Sequence, residues 1–352
     1  MSPTAEDEIR FLVNLQRLLG EGSFVSTYKF ALLMSLADIC VERPDDNANG
    51  MLSITGREIA EKFIVFYWRQ TLPYPDMQGE QFVFKQNTGK QAGVIRLLER
   101  ARKDFGTLAR LMHDQRAWQS LVSEVASIVR DMPLWKLQTV GSNQLEFLYG
   151  NTGRGSQITL MPGVAHCLRK FHALVGDLVR GAWTRYVRRH NLAVLNDSAD
   201  LQEFLFGADR TSLAKVRPIM MEVQDGRCFY CERPVRAGNA DVDHFVPWSM
   251  YPIDLGHNFV VAHKTCNNSK SDRLAAAEHL AHWNEMQRDT GEALTVAFSQ
   301  RDIRSDLNTT RQINRWAYTS AAQAGGLTWL RKNELEPLPA DLLTRLDSVI
   351  WQ

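Results

Sequence analysis

Along this chain, stretches with apolar residues every three or four positions alternate with short stretches where large apolar residues crowd together. Helical spacing recurs in Ile9 to Leu19, Tyr28 to Val41, Ile59 to Tyr67, Val94 to Met112 and Trp118 to Val129, which predicts a helical first third. Thr55 followed by Glu58 has the form of a capping box, with the hydroxyl and the carboxylate each serving the other's backbone N–H. From Leu134 the pattern changes. Leu134 to Val140, Gln144 to Tyr149 and Gln157 to Met161 are short, separated by Gly-Ser-Asn and by Gly-Asn-Thr-Gly-Arg-Gly, and predict a small antiparallel sheet. Pro162-Gly163 then introduces one long amphipathic helix over Val164 to His190. Shorter helices are expected between Asn196 and Val223, further helices at Leu274 to Gln287 and Thr310 to Ala322, then a short Trp-bearing segment at Leu327 to Leu330 and a terminal helix from Ala340.

Composition narrows this picture only a little. Lys and Arg number 41 against 40 Asp and Glu, a net charge of +1, so nucleic-acid affinity would have to come from local basic patches. The richest apolar run, Phe30 to Ile39, contains Ser35 and Asp38 and is too short to span a bilayer, so no membrane partner is expected. Ser2 to Glu8 is polar and acidic, unlike an export signal. The cysteines number 5, an odd count that, without such a signal, points to a reducing cytoplasm. There, clustered cysteines bind metal more often than they pair. Cys40 and Cys167 lie in helix-like runs, whereas Cys228, Cys231 and Cys266 share a polar, turn-rich stretch.

That stretch carries the chemistry. Arg227-Cys228-Phe-Tyr-Cys231 presents two thiolates across one turn, and His263-Lys-Thr-Cys266 repeats the spacing with an imidazole and a third thiolate. Four protein ligands close a tetrahedron around zinc and leave no open position, so this ion would be structural. Binding of that kind can contribute roughly 10–16 kcal/mol to a segment with little core of its own. A redox Cys-x-x-Cys would call for a βαβ setting that the pattern does not offer. Between the two pairs stand Asp243-His244-Phe-Val-Pro247, which reads as a strand over Val242 to Val246, and Asn258, which opens a second strand to Ala262. Asn267 is expected to open a helix directly after the last zinc ligand.

Taken together, residues 227 to 273 resemble the HNH endonuclease family, whose ββα-metal core carries an Asp-His strand, a mid-motif Asn, and a His or Asn after the second zinc pair. Asp243-His244, Asn258 and Asn267 occupy these places, and Asn268-Ser-Lys270 resembles the trailing signature. Two features depart from common members: Asn267 makes this an HNN variant, and His263 makes the zinc site Cys₃His. The resemblance implies His244 as general base, as suits a group with a pKa near neutrality. It implies that Asp243 and Asn267 hold one divalent cation, Mg²⁺ or Mn²⁺, with Asn258 orienting the catalytic loop or His244 itself, and Lys270 either touching phosphate or simply solvated. DNA is the implied substrate, with RNA as an alternative, and restriction or phage defence the implied setting, alone, as a homo-oligomer or with a partner protein. A non-cleaving zinc-stapled binding module is the rival reading.

The expected fold class is thus α+β and mainly helical. A helical region with a small sheet (1–200) engages substrate or partner; an HNH module (201–290, core 227–273) and a C-terminal helical extension (291–352) follow. Arg169, Lys170, Arg185, Arg188 and Arg189 on the predicted long helix are candidate DNA contacts, with a solvated helix face as the alternative. Trp135, Trp183, Trp316 and Trp329 are expected in the core rather than stacked on bases.

Overall fold

The computed structural model describes residues 3–43, 51–75, 79–150, 155–195, 200–208, 210–339 and 341–342. These divide into two units, residues 1–207 and 208–352.

The first unit opens with α1 (Ala5–Glu21), started by a capping box between Thr4 and Asp7. Then come α2 (Tyr28–Glu42) and α3 (Gly56–Gln70), the latter started by the expected Thr55–Glu58 box. Next are α4 (Gly93–Phe105), α5 (Leu108–His113), α6 (Gln115–Asp131) and the single turn α7 (Pro133–Lys136). The unit closes with α8 (Val164–Lys170), α9 (His172–His190) and α10 (Leu201–Phe206). Every residue of α2 from Tyr28 to Val41 is buried. A helix apolar on all sides must be wrapped, and α3, α7, α8 and α9 pack around it. Its polar residues are satisfied inside: Ser35 Oγ donates to Ala31 O (2.7 Å), and Asp38 lies 2.8 Å from His172 Nε2.

Three expectations are corrected here. The helix expected over Val94 to Met112 is interrupted at Gly106, whose φ of 73° suits glycine. The helix expected over Val164 to His190 is likewise two helices, because Phe171 leaves helical geometry (φ −105°, ψ 19°) just before His172 turns into the core. The single sheet expected over 134–161 is instead split between two two-stranded ladders, β1 (Ser53–Thr55) with β6 (Gln157–Thr159) and β4 (Thr139–Val140) with β5 (Asn143–Gln144); a separate ladder pairs β2 (Tyr74–Pro75) with β3 (Gln81–Phe82). The physical reason lies in Gln138. Its carboxamide oxygen accepts from the N–H groups of Phe147 and Leu148, and its amide donates to Tyr149 O, so a side chain fills the place of a neighbouring strand. Part of the second predicted turn (151–154) and the start of the segment from Asn196 lie outside the described residues, as does nearly all of the helix expected from Ala340.

The second unit runs α11 (Arg210–Val223), β7 (Ala240–His244), β8 (Phe259–His263), α12 (Lys264–Lys270), α13 (Ala277–Gln300), α14 (Leu307–Gln323) and a hairpin of β9 (Leu327–Arg331) with β10 (Glu334–Pro337). β7 and β8 pair antiparallel, from Ala240 opposite His263 to His244 opposite Phe259, and α12 follows at once. Its core is aromatic: Phe245 stacks on Trp283 at 5.6 Å between centroids, and Phe229, Phe259 and Tyr318 are fully buried with them. Trp329 belongs to this core and Trp183 to that of the first unit, as the sequence suggested, whereas Trp135 and Trp316 are half-buried.

Two adjacent residues before β8 show how tightly this unit is packed. A Cβ added at Gly256 would sit 2.6 Å from the Phe298 ring. His257 is fully buried, with Nδ1 2.9 Å from Gln287 Oε1 and Nε2 3.0 Å from Thr295 Oγ1, partners that suit a neutral ring. Burial lowers its pKa from 6.5 to about 4. Gly256→Ala should therefore destabilise the protein by about 1–3 kcal/mol through overpacking, read by denaturant unfolding; an unchanged midpoint would refute the close approach. For His257 the unfolded chain binds the extra proton first. Its stabilising contribution is complete above pH 6.5 and is lost as pH falls through about 4, costing on the order of 3 kcal/mol. A proton NMR titration of the ring should show no transition before about pH 4.

Candidate metal centre and active site

The Cys228–Cys231 turn forms because Arg227 bridges to Pro234, Cys228 N–H donates to Arg233 O (2.9 Å), and Glu232 takes a left-handed φ of 56°. Phe229 N–H donates to Val261 O (2.9 Å), fastening the turn to β8. His263 ends that strand and acts as the N-cap of α12, which carries Cys266 in its first turn. The donor atoms of Cys228, Cys231, His263 and Cys266 all lie within 4.8 Å of one another. Cys231 Sγ is 3.3 Å from His263 Nδ1, and His263 N–H donates to Cys228 Sγ at 3.3 Å. His263 Nε2 lies 3.1 Å from Pro234 O; an N–H there leaves the Nδ1 lone pair for an ion, as a metal-bound histidine requires. Burial and the Cys228 and Cys231 sulfurs push the Cys266 thiol up to about 12. Three sulfurs at such distances lose their protons together only around a cation. The donor set fits zinc.

Beside this cluster, Asp243 and His244 end β7. Asp243 is buried; its Oδ2 accepts from Tyr230 Oη at 2.5 Å and lies 3.1 Å from Lys270 Nζ. Burial and the Asp243 carboxylate hold the Tyr230 phenol well above its ordinary pKa, so it stays a donor. His244 Nε2 lies 2.9 Å from Asp254 Oδ1, with the ring between Trp248 and Phe259 at 5.1 and 4.8 Å. An Nε2–H donated to the carboxylate leaves Nδ1 as the basic nitrogen. Asn258 bonds Val246 in both directions, accepting from its N–H (2.9 Å) and donating to its carbonyl (3.0 Å), and so sets how the chain leaves β7.

Several expected positions move. Asn267 does not open α12; it sits within it, half-buried, three residues before Lys270 and therefore on the same side of the helix. Lys270, read as a phosphate contact, is fully buried, its Nζ donating to His244 O at 2.9 Å as well as meeting Asp243, so its charge is used inside the module. Arg169 donates to Cys40 O (2.6 Å) and Arg43 O (3.0 Å), closing the C-terminal end of α2, and Lys170 pairs with Glu8 at 2.7 Å. Both are structural links rather than free basic groups. Arg185 and Arg189 are exposed and Arg188 half-exposed. Sequence reasoning missed Tyr230 and Asp254. Tyr230 lay in plain view between two zinc ligands, whereas Asp254 sits in the 245–255 loop and carried no signal beyond its charge.

A model for a domain of unknown function (DUF8808) matches residues 9–201, more than half of the chain. The chain belongs to that family. A second model, described as HNH endonuclease, matches residues 228–276, the region that holds the Cys₃His cluster. No curated protein and no solved structure matches. The HNH module thus comes with a nuclease or nucleic-acid-related function and a metal site. Among the described residues no helix is long and apolar enough to cross a membrane.

Elemental analysis of the purified protein should return about one zinc per chain, from the four-ligand set. The double variant Cys228→Ala/Cys266→Ala should lose it and melt earlier; undiminished zinc in that variant would defeat the ligand assignment.

Proposed function

We propose that this chain is a metal-dependent endonuclease that hydrolyses DNA phosphodiester bonds at the end of β7, within an HNN-type ββα-metal module. The observation that carries the reading is the setting of His244: its Nε2 is committed to Asp254, so its other nitrogen is the one that can take a proton from water. Asp243 and Asn267 offer oxygen donors, which suit Mg²⁺ or Mn²⁺. A divalent cation held there would stabilise charge developing on the phosphate and the leaving oxygen. Asn258 keeps the loop after His244 in one conformation through its paired bonds to Val246. Lys270 holds the Asp243 carboxylate and the His244 peptide from behind. On the first unit, Arg185, Arg188 and Arg189 are the residues we assign to DNA contact, and the helical region as a whole to engaging substrate or a partner.

The test is nicking of supercoiled plasmid by zinc-loaded protein in the presence of Mg²⁺ or Mn²⁺, with an RNA substrate alongside. Wild type should cut DNA, and His244→Ala should lose about 10²- to 10⁴-fold while keeping its zinc and its melting temperature. A variant that cuts like wild type would remove His244 as the base. Protein that is folded, zinc-loaded and inert toward both substrates with every divalent ion would instead be a binding module, and cleavage of RNA alone would make it a ribonuclease.

A further inference from the structure

The zinc turn and the Asp243 carboxylate are joined by a single side chain. Tyr230 occupies the position between Phe229 and Cys231 in the Cys228–Cys231 turn, yet its hydroxyl reaches Asp243 Oδ2 at 2.5 Å. The ring is held edge-on by His279 (5.3 Å) and Trp329 (5.2 Å), so the phenol cannot swing away. Lys270 Nζ reaches the same oxygen at 3.1 Å and lies 5.9 Å from the Tyr230 ring centroid. Two donors therefore converge on Oδ2.

We infer that Tyr230 is a positioning residue for the catalytic cation: from the zinc turn it pins Asp243 Oδ2, so that the carboxylate turns its other oxygen to the divalent ion. The inference rests on the reading of Asp243 as a ligand of that ion. A carboxylate free to rotate presents either oxygen and loses part of its binding energy in being ordered. One already tied at Oδ2 meets the ion in a fixed orientation, which is the usual function of groups hydrogen-bonded to a metal ligand. The arrangement also gives the structural zinc a catalytic consequence. Zinc holds the turn, the turn carries Tyr230, and Tyr230 aims Asp243. Phe229 strengthens this link, because its N–H ties the same turn to β8 through Val261 O.

The experiment is a Mn²⁺ titration of the full, zinc-loaded chain, followed by electron paramagnetic resonance of the free ion, for wild type, Tyr230→Phe and Asp243→Ala. Tyr230→Phe keeps the ring and its packing and should weaken Mn²⁺ binding about 10- to 100-fold with zinc content unchanged. In plasmid cleavage it should raise the Mn²⁺ needed for half-maximal rate far more than it lowers the rate at saturating Mn²⁺, a split that mere loosening of the fold would not produce. Unchanged or tighter Mn²⁺ binding by Tyr230→Phe, with Asp243→Ala abolishing it, overturns the role of Tyr230 alone. Unchanged binding by Asp243→Ala overturns the underlying assignment of the ligand. Should Tyr230→Phe not fold, 3-fluorotyrosine at position 230 preserves the hydroxyl: its fluorine resonance should move saturably with Mg²⁺ in wild type and stay still in Asp243→Ala. A resonance indifferent to Mg²⁺ in wild type overturns the proposal.

Discussion

Three thiols and an imidazole brought within 4.8 Å of one another are a chemical constraint before they are a structure. Deprotonated, the sulfurs repel one another across short distances. The Cys266 thiol, driven up to about 12 by burial and its two sulfur neighbours, shows the cost of the arrangement without positive charge. A bound metal ion, with zinc the fit for this donor set, would turn the same crowding into a fixed point of the second unit. The turn at Cys228, the last residue of β8 and the first turn of α12 all contribute donor atoms to this one cluster. Because α12 begins at that cluster, its direction is set, and Lys270 near its far end is brought against β7.

The four residues of the candidate metal site were legible in the sequence because metal geometry reduces to spacing: two x-x pairs in one polar stretch suffice. The capping box at Thr55 was legible for the same reason, being a local interaction three residues wide. Lys270 was misread because a lysine is solvated by default, and what buries this one is an anion and a carbonyl supplied by another element. Asp254 was invisible because its meaning depends on how the 245–255 loop folds back toward His244, which no local pattern encodes. The sheet expected over 134–161 failed for a related reason. Apolar crowding indicates burial but not the partner, and there the partner for three backbone groups is the Gln138 side chain.

Charge in the first unit teaches the same lesson. The run from Arg169 to Arg189 looks like a basic ridge when written as sequence, yet its members have different duties. Arg169 satisfies the carbonyls at the end of α2, Lys170 holds α1 through Glu8, and Arg180 is buried against Asp177 at 2.8 Å. A fully buried α2 needs such closures, since its terminal carbonyls face protein rather than water. The exposed basic side chains of this run are fewer than its sequence implies, and Arg185 and Arg189 lie toward the C-terminal end of α9.

Strand geometry makes a demand on the proposed active site that the sequence motif conceals. Asp243 and His244 are consecutive, and consecutive side chains leave a strand on opposite faces. Asp243 accordingly meets Tyr230 and Lys270, while His244 meets Asp254, Trp248 and Phe259. On the proposed function the two serve one phosphate from the strand's end, where β7 stops at His244 and Phe245 N–H donates to Asn258 O at 2.7 Å. Groups that fix this end therefore matter as much as groups that do chemistry. Asn258 clamps both backbone groups of Val246, and Lys270 binds the His244 carbonyl itself. The adjacent Asp-His pair thus works as a motif because the chain leaving it is held rigid on both sides. On the proposed roles, loosening that exit would separate base from ligand even with both side chains intact.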